Sequence, residues 1–251
     1  MAKQAGIIKL EGTIGDVAFY KSQDGHLARS KGGVSADRIK NDASFQRTRE
    51  NNEEFGRAGA AGKLLRTAFR QYMQNGADNR MVSRLTRAMM EAVKADATST
   101  RGQRNVLDGE LELLEGFEFN ITGELTSAIY FPYTATIDRV TGALVVAIPG
   151  FSPASMVAAP EGATHFRLIS GGASIDFEGG TFEVVYSQSE DIAILPAPIA
   201  AVNLNNQLTA NSTHPLFLIF GIEFFQQVNG INYPLKNGNF NALALVRVLG
   251  L

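Results

Sequence analysis

The sequence predicts an α+β protein: an N-terminal β-hairpin and helical hairpin followed by an antiparallel β-sandwich. Three observations lead there. Apolar residues follow a helical period from about residue 42 to 96, then break into short β-prone runs after 105. Gly-rich turns separate those runs with no helical segment between them. Charge changes sign at the same place: residues 1–104 carry 19 Lys+Arg against 11 Asp+Glu, and residues 105–251 carry four against 14. The net charge of −2 therefore hides a basic region, 1–104, and an acidic region, 105–251.

Along the chain, Gly6–Gly12 and Thr13–Lys21 read as short strands. The turn Ser22–Gly25 leads into His26-Leu-Ala-Arg, since Asp-Gly between β-prone runs favours a hairpin. Lys31-Gly-Gly ends that strand and Ser35 is placed to start a helix. A polar helix covers about 42–56. Leu64, Leu65, Ala68, Phe69, Tyr72 and Met73 then recur at helical spacing up to a turn at Asn75-Gly-Ala-Asp. Met81, Val82, Leu85, Met89 and Val93 form a second stripe, entered through Asp78 or Asn79 as cap.

The expected strands are Leu125–Phe131, Thr134–Ile137, Ala143–Ile148, His165–Ile169, Ser174–Phe177, Thr181–Ser187, Leu216–Phe225 and Leu243–Leu249. The turns Val140-Thr-Gly, Ser170-Gly-Gly, Glu178-Gly-Gly and Lys236-Asn-Gly separate several of them. Leu216–Phe220 and Ala242–Val246 read as central, core-facing strands.

Composition removes several function classes. The chain of 251 residues has no cysteine, which excludes disulfides, thiolate nucleophiles and Cys-ligated zinc. Its three histidines are far apart, so no metal or other cofactor is expected. No apolar run approaches the ~18 residues of a membrane span, and residues 1–10 lack the apolar core of a secretory signal. A cytoplasmic protein is expected, including one that belongs to a phage or phage-like particle.

Gly56–Lys63 has the glycines of a phosphate-binding loop, but a Walker A motif needs Gly where Arg57 stands and Ser or Thr where Leu64 stands. Its small residues suit either a close approach of two helices or a break between them. Asp138, Asp176 and Glu183 lie in or beside strands, where acidic residues belong more often to a wet face than to an acid–base pair. His165 and His214 have no spacing that specifies a triad. Glu110–Glu115 reads as an acidic, solvated amphipathic stretch. No catalytic residue and no small-molecule substrate is indicated.

The basic helices carry the most specific signal. Lys63, Arg66 and Arg70 share one helix face, and Arg80, Arg84 and Arg87 share another. Such faces suit phosphates, but no aromatic residues are interleaved to stack on bases. Pairing with the acidic region, in the same chain or in a neighbouring copy, is the favoured reading. Ile14, Val17 and Phe19 alternate along the N-terminal ribbon, which is marginal alone and needs a partner surface.

Three further stretches carry a resemblance: Gly12–Lys21 with Gly25–Arg29, Phe45–Gly56, and Gly162–Arg167 with Asn241–Val248. They resemble an uncharacterised family of small proteins common in Bacteroidetes genomes that begin with a Gly-rich hairpin. That resemblance implies no activity. The expected function is a non-enzymatic structural protein that binds copies of itself to build a filament, shell or particle. A nucleic-acid-associated protein using the helical arginines is the first alternative. A glycan- or ligand-binding sandwich is the second, weakened because the chain has no tryptophan to stack on sugar rings.

Overall fold

The computed structural model describes residues 2–30, 32–74 and 77–251; the expected strand break at Lys31 and the residues Asn75-Gly76 of the helical turn lie outside these. The chain is α+β and forms two compact units, Met1–Arg49 and Glu50–Leu251.

The first unit is a four-stranded antiparallel sheet of β1 (Ala2–Lys3), β2 (Gly12–Ile14), β3 (Val17–Ser22) and β4 (Gly25–Ser30), in the order β1-β4-β3-β2. It is thus larger than the expected two-stranded ribbon. Two tight hairpins build it. The predicted turn at Ser22–Gly25 joins β3 to β4. A second turn at Gly15-Asp16 splits the expected strand Thr13–Lys21, because Gly15 takes φ +55°, a left-handed conformation that reverses the chain. Gly6–Gly12 is not a strand: residues 4–11 form a loop. Helix α1 (Ala36–Asn41) starts where expected, with the Ser35 hydroxyl accepting the Arg38 N–H at 3.3 Å. Asp42 then accepts the Ser44 N–H at 2.9 Å, and this turn leads into α2 (Gln46–Ala68).

In the second unit, α2 runs unbroken through Gly56, Gly59 and Gly62, so the close-approach reading of this segment holds and the break does not. A Cβ at Gly62 would lie 3.7 Å from Leu85 and Met89 of α4 (Met81–Ala95). Between them is the short α3 (Arg70–Met73). Neither expected cap, Asp78 nor Asn79, holds the N-cap position of α4: Arg80 does, without a side-chain capping bond, and Asp78 accepts the Arg80 N–H at 2.7 Å just before the helix.

The β region comprises β5 (Thr134–Asp138), β6 (Ala143–Ile148), β7 (His165–Asp176), β8 (Thr181–Gln188), β9 (Ile192–Ala193), β10 (Val202–Gln207), β11 (Leu216–Val228), β12 (Ile231–Pro234) and β13 (Ala242–Leu249). Strands β10-β6-β5 make one antiparallel sheet. A larger antiparallel sheet is built on β11, which pairs with β7, β12 and β13, while β7 also pairs with β8 and β9.

Alternation along β11 shows how the layers stack. Leu216, Leu218, Phe220 and Ile222 face Leu144, Val146 and Leu204 of the three-stranded sheet. Phe217 and Ile219 face the opposite way, towards Leu65, Phe69, Leu85 and Met89 of the helical hairpin. A sheet covered on both faces demands a continuous apolar run, which is what residues 216–222 are, with Glu223 the one charged side chain buried before Phe224 and Phe225. Burying each such side chain contributes about 1.5–3 kcal/mol. A bulge opposite Leu218/Ile219 shifts β13 by one residue, so that Arg247 emerges to pair with Glu115 while Val248 returns to the core.

Several expectations change. The expected division at 104/105 marks the change of charge, whereas the compact units separate at 49/50, because the helical stripes find their apolar partner on the sheet. Leu125–Phe131 opens as the helical turn α5 (Leu125–Ala128) before bridging Val157 through Ile129, and a similar turn, α6 (Pro153–Met156), precedes Val157. Ser170-Gly-Gly is no turn: β7 runs straight through it, joining two expected strands. A Cβ at Gly171 would meet Tyr186 at 3.0 Å, and one at Gly172 would meet Asn206 and Leu144 at 3.0 Å. The glycines admit neighbouring layers rather than bend the chain.

Candidate functional site

In the first unit, none of the described residues is buried. Gln4 organises its loop. The Gln4 side-chain amide donates to Leu10 O and Leu27 O, both at 3.1 Å, and its carbonyl accepts the Leu10 N–H at 2.8 Å. The Lys9 ammonium adds a bond to Gly6 O at 2.7 Å. The loop so fastened presents Ile7 at 102% and Ile8 at 80% exposure, with Leu10 also exposed. Of the expected interface residues, Ile14 and Val17 are a cross-strand pair beside the Gly15 turn, with Ile14 62% exposed, and Phe19 pairs with Gly12. Sequence reading missed Ile7 and Ile8, because a strand over Gly6–Gly12 would have hidden one of them.

The six basic residues separate into different roles. Arg84 is a tether within its own unit: it donates to Glu118 O at 2.7 Å and Phe119 O at 3.3 Å, pairs with Asp78, and lies 5.1 Å from the Phe117 ring centroid. Burial acts to raise the Asp78 carboxyl, but the Ile121 and Arg80 N–H groups and Arg84 outweigh it and hold it low. Arg87 makes an exposed pair with Glu91 one helical turn on, at 3.3 Å. Arg80 is the N-cap residue of α4, and its N–H donates to Asp78 Oδ1. Lys63, Arg66 and Arg70 line a groove of about 390 Å³ with Thr67 and Gln74, floored by Met73 and Met81, and have no ion-pair partner among the described residues.

Next to that groove lies the largest cavity described in the unit, about 610 Å³, between α2, the loop 103–107 and the turn between β7 and β8. Ala60, Leu64, Val106, Leu107 and Phe177 give it apolar walls, and Lys63 and Glu178 mark its rim. Arg57 holds the loop in place by donating to Gly102 O at 2.6 Å and Arg104 O at 2.9 Å. No sequence pattern marks Arg57, whose partners lie about 45 residues away.

The carboxylates considered as acid–base candidates serve turns. Asp138 accepts from Val140 N–H at 2.9 Å and Thr141 Oγ1 at 2.7 Å, bonds that lower its pKa. Asp176 accepts the N–H groups of Glu178 and Gly179, and Glu183 that of Thr209. Asp176, Glu183 and His214 border one depression, while His165 sits at the start of β7 with Nδ1 3.0 Å from Thr164 Oγ1. Glu110–Glu115 is no mere solvated face: Glu112 accepts the Gly250 N–H at 2.7 Å and Glu115 the Val248 N–H at 2.9 Å, stapling β13. Among the described residues no group of three His, Asp or Glu side chains is placed to hold a metal ion, and no helix is long and apolar enough to cross a membrane.

Burial pushes the Glu118 carboxyl up to about 7, with Glu124 adding repulsion and the Leu125 N–H, bonded at 3.0 Å, opposing. Its other oxygen is buried with no hydrogen-bond partner among the described residues. At Asp96 burial also acts upward, but the N–H and hydroxyl groups of Ser99 and Thr98 hold the pKa far below the usual range.

No protein-family model matches the chain, and no curated protein does. Among solved structures, the crystal structure of the human F-spondin reeler domain (fragment 1) is similar at 14% identity and a TM-score of 0.20, over 50% of this chain and 96% of that one. So low a score supports no conclusion about fold or function.

Proposed function

We propose that this protein is a non-enzymatic structural subunit whose copies join through the N-terminal unit to form a filament, shell or particle, such as a phage-like particle in the cytoplasm. One observation carries the reading: the first unit folds as a sheet and helix with no buried residue among those described, while exposing Ile7, Ile8, Leu10 and Ile14. A small sheet without a core is marginal in water and is stabilised by a surface that covers it. Charge supports a neighbouring copy as that surface. Residues 1–49 hold nine basic and five acidic side chains, net +4; residues 50–251 hold 14 and 20, net −6. Complementary patches of this kind steer encounter and fix register. The short edge strands β1 and β2 add unpaired backbone groups that a neighbouring strand can extend.

Negative-stain microscopy of the purified chain and of a variant lacking residues 2–31 tests this. The full chain is expected to form regular polymers or rings, and the truncated chain a folded monomer. A full chain that stays monomeric at high concentration refutes the proposal, as does a truncated chain that still assembles.

A second reading rests on the groove lined by Lys63 and Arg66 of α2 and Arg70 of α3, whose three cations without an ion-pair partner among the described residues suit the phosphates of a nucleic acid. Gel shifts with DNA and RNA at increasing salt test it. Micromolar binding that falls steeply with salt supports the reading, and no shift at low salt removes it.

A further inference from the structure

We infer that the loop carrying Ile7 and Ile8 in one copy seats in the cavity between α2 and the β7–β8 turn of the next copy. This rests on the assembly proposed above and names its contact surfaces. A pair of isoleucines exposed at 102% and 80% is an unusual feature for a water-facing loop, and here the loop is fastened by hydrogen bonds in which the Gln4 and Lys9 side chains take part. Because the loop is already ordered, docking it costs little further conformational entropy. The cavity, at about 610 Å³, lies within the usual size of a pocket that buries a compact apolar group, roughly 300–1,000 Å³. Its walls are aliphatic and aromatic: Ala60, Leu64, Val106, Leu107 and Phe177.

Charge agrees at two scales. The loop belongs to the +4 unit and the cavity to the −6 unit. Locally, Lys9 and Glu11 follow the two isoleucines, and Glu178 and Lys63 stand on the rim, so each side offers one charge of each sign. The two surfaces are different patches of one chain, so the contact is head to tail and propagates into rings or open chains rather than closing as a symmetric dimer.

Sedimentation velocity on the full-length chain, on Ile7→Glu/Ile8→Glu and on Ala60→Arg, alone and mixed, decides the matter. All three altered residues are exposed, so both variants are expected to keep the wild-type far-UV circular dichroism spectrum. Should Ala60→Arg fail to fold, Thr67→Arg, also exposed on the cavity wall, replaces it. The wild type is expected to form assemblies. Each variant alone loses them, with self-association weakened about 100-fold or more, as removal of two buried isoleucines implies. An equimolar mixture of the two variants restores one intact loop and one intact cavity, and gives a capped 1:1 dimer. Wild-type assemblies that survive in either variant overturn this contact while leaving self-assembly standing. A mixture that stays monomeric overturns the pairing of these two surfaces. A wild type that is monomeric throughout refutes self-assembly and this contact together.

Discussion

Replacing Arg84 with alanine separates a structural arginine from an interface one. The side chain donates to the carbonyls of Glu118 and Phe119 and pairs with Asp78, whose side chain is only 9% exposed. Charge-assisted hydrogen bonds contribute roughly 1.5–3 kcal/mol each, and removing one partner of a buried pair adds the cost of the stranded charge. Asp78 keeps the N–H groups of Arg80 and Ile121, at 2.7 and 3.0 Å, which limits that cost. The net loss is about 3 kcal/mol, which for a unit of this size lowers Tm by roughly 6–12 °C. Arg87→Ala, which removes only an exposed pair with Glu91, is expected to cost under ~0.5 kcal/mol. Differential scanning calorimetry of both variants reads the contrast. An Arg84→Ala protein that melts within about 2 °C of wild type but no longer assembles would refute the tether and restore Arg84 to the interface.

Glu118 is protonated more readily in the folded chain than in the unfolded one, so folding binds the proton and stability falls as pH rises from about 4.5 to about 7. Glu118→Gln keeps an acceptor for the Leu125 N–H and removes the ionisation; at pH 8 it is expected to stabilise by about 1–2 kcal/mol, a value reduced for solvent screening, with no gain at pH 4 in urea unfolding. At Gly62, an alanine Cβ would sit at an ordinary 3.7 Å from Leu85 and Met89, so Gly62→Ala should gain about 0.5–1 kcal/mol in helix propensity, whereas Gly62→Leu should lose about 1–3 kcal/mol by overpacking. Gly172→Ala puts a Cβ 3.0 Å from both Asn206 and Leu144, and a drop of about 1–3 kcal/mol is expected in the same assay. A neutral effect would mean that these layers sit farther apart.

What the sequence made legible follows from which contacts are local. The stripes of α2 and α4 and the run of β11 declare themselves because a buried face is written in the spacing of its own residues. β10 does not: Val202–Gln207 is largely Asn and Gln, and it holds its place because Asn206 bonds Ser170 at 2.9 Å and Ser187 at 3.1 Å across the core. Those partners are distant in sequence, so no window contains the reason. The glycines of Ser170-Gly-Gly read as a turn for the same cause, since the neighbours that demand them are Tyr186, Leu144 and Asn206. At the candidate site, helical spacing put Lys63, Arg66 and Arg70 on one helix face; they line one groove although α2 ends at Ala68 and Arg70 opens α3, and spacing treats Arg84 as their equal. Only the loop that brings Glu118 and Phe119 beside α4 distinguishes it.

The central position of β11 also has a consequence in time. Ten successive residues, Leu216–Phe225, end buried, and the partners of their strand arrive in the order of synthesis: β7 earlier, β12 and β13 later. Until residue 249 has been made, one long edge of that apolar strand stands unpaired. Pairings between distant segments form slowly, and an open hydrophobic edge is where chains associate wrongly. A ribosome carrying this chain stalled before Ala242 would therefore hold an adhesive intermediate, and slowing translation there should raise the fraction lost to aggregation. The strand that anchors the finished molecule is its chief hazard while it is being made.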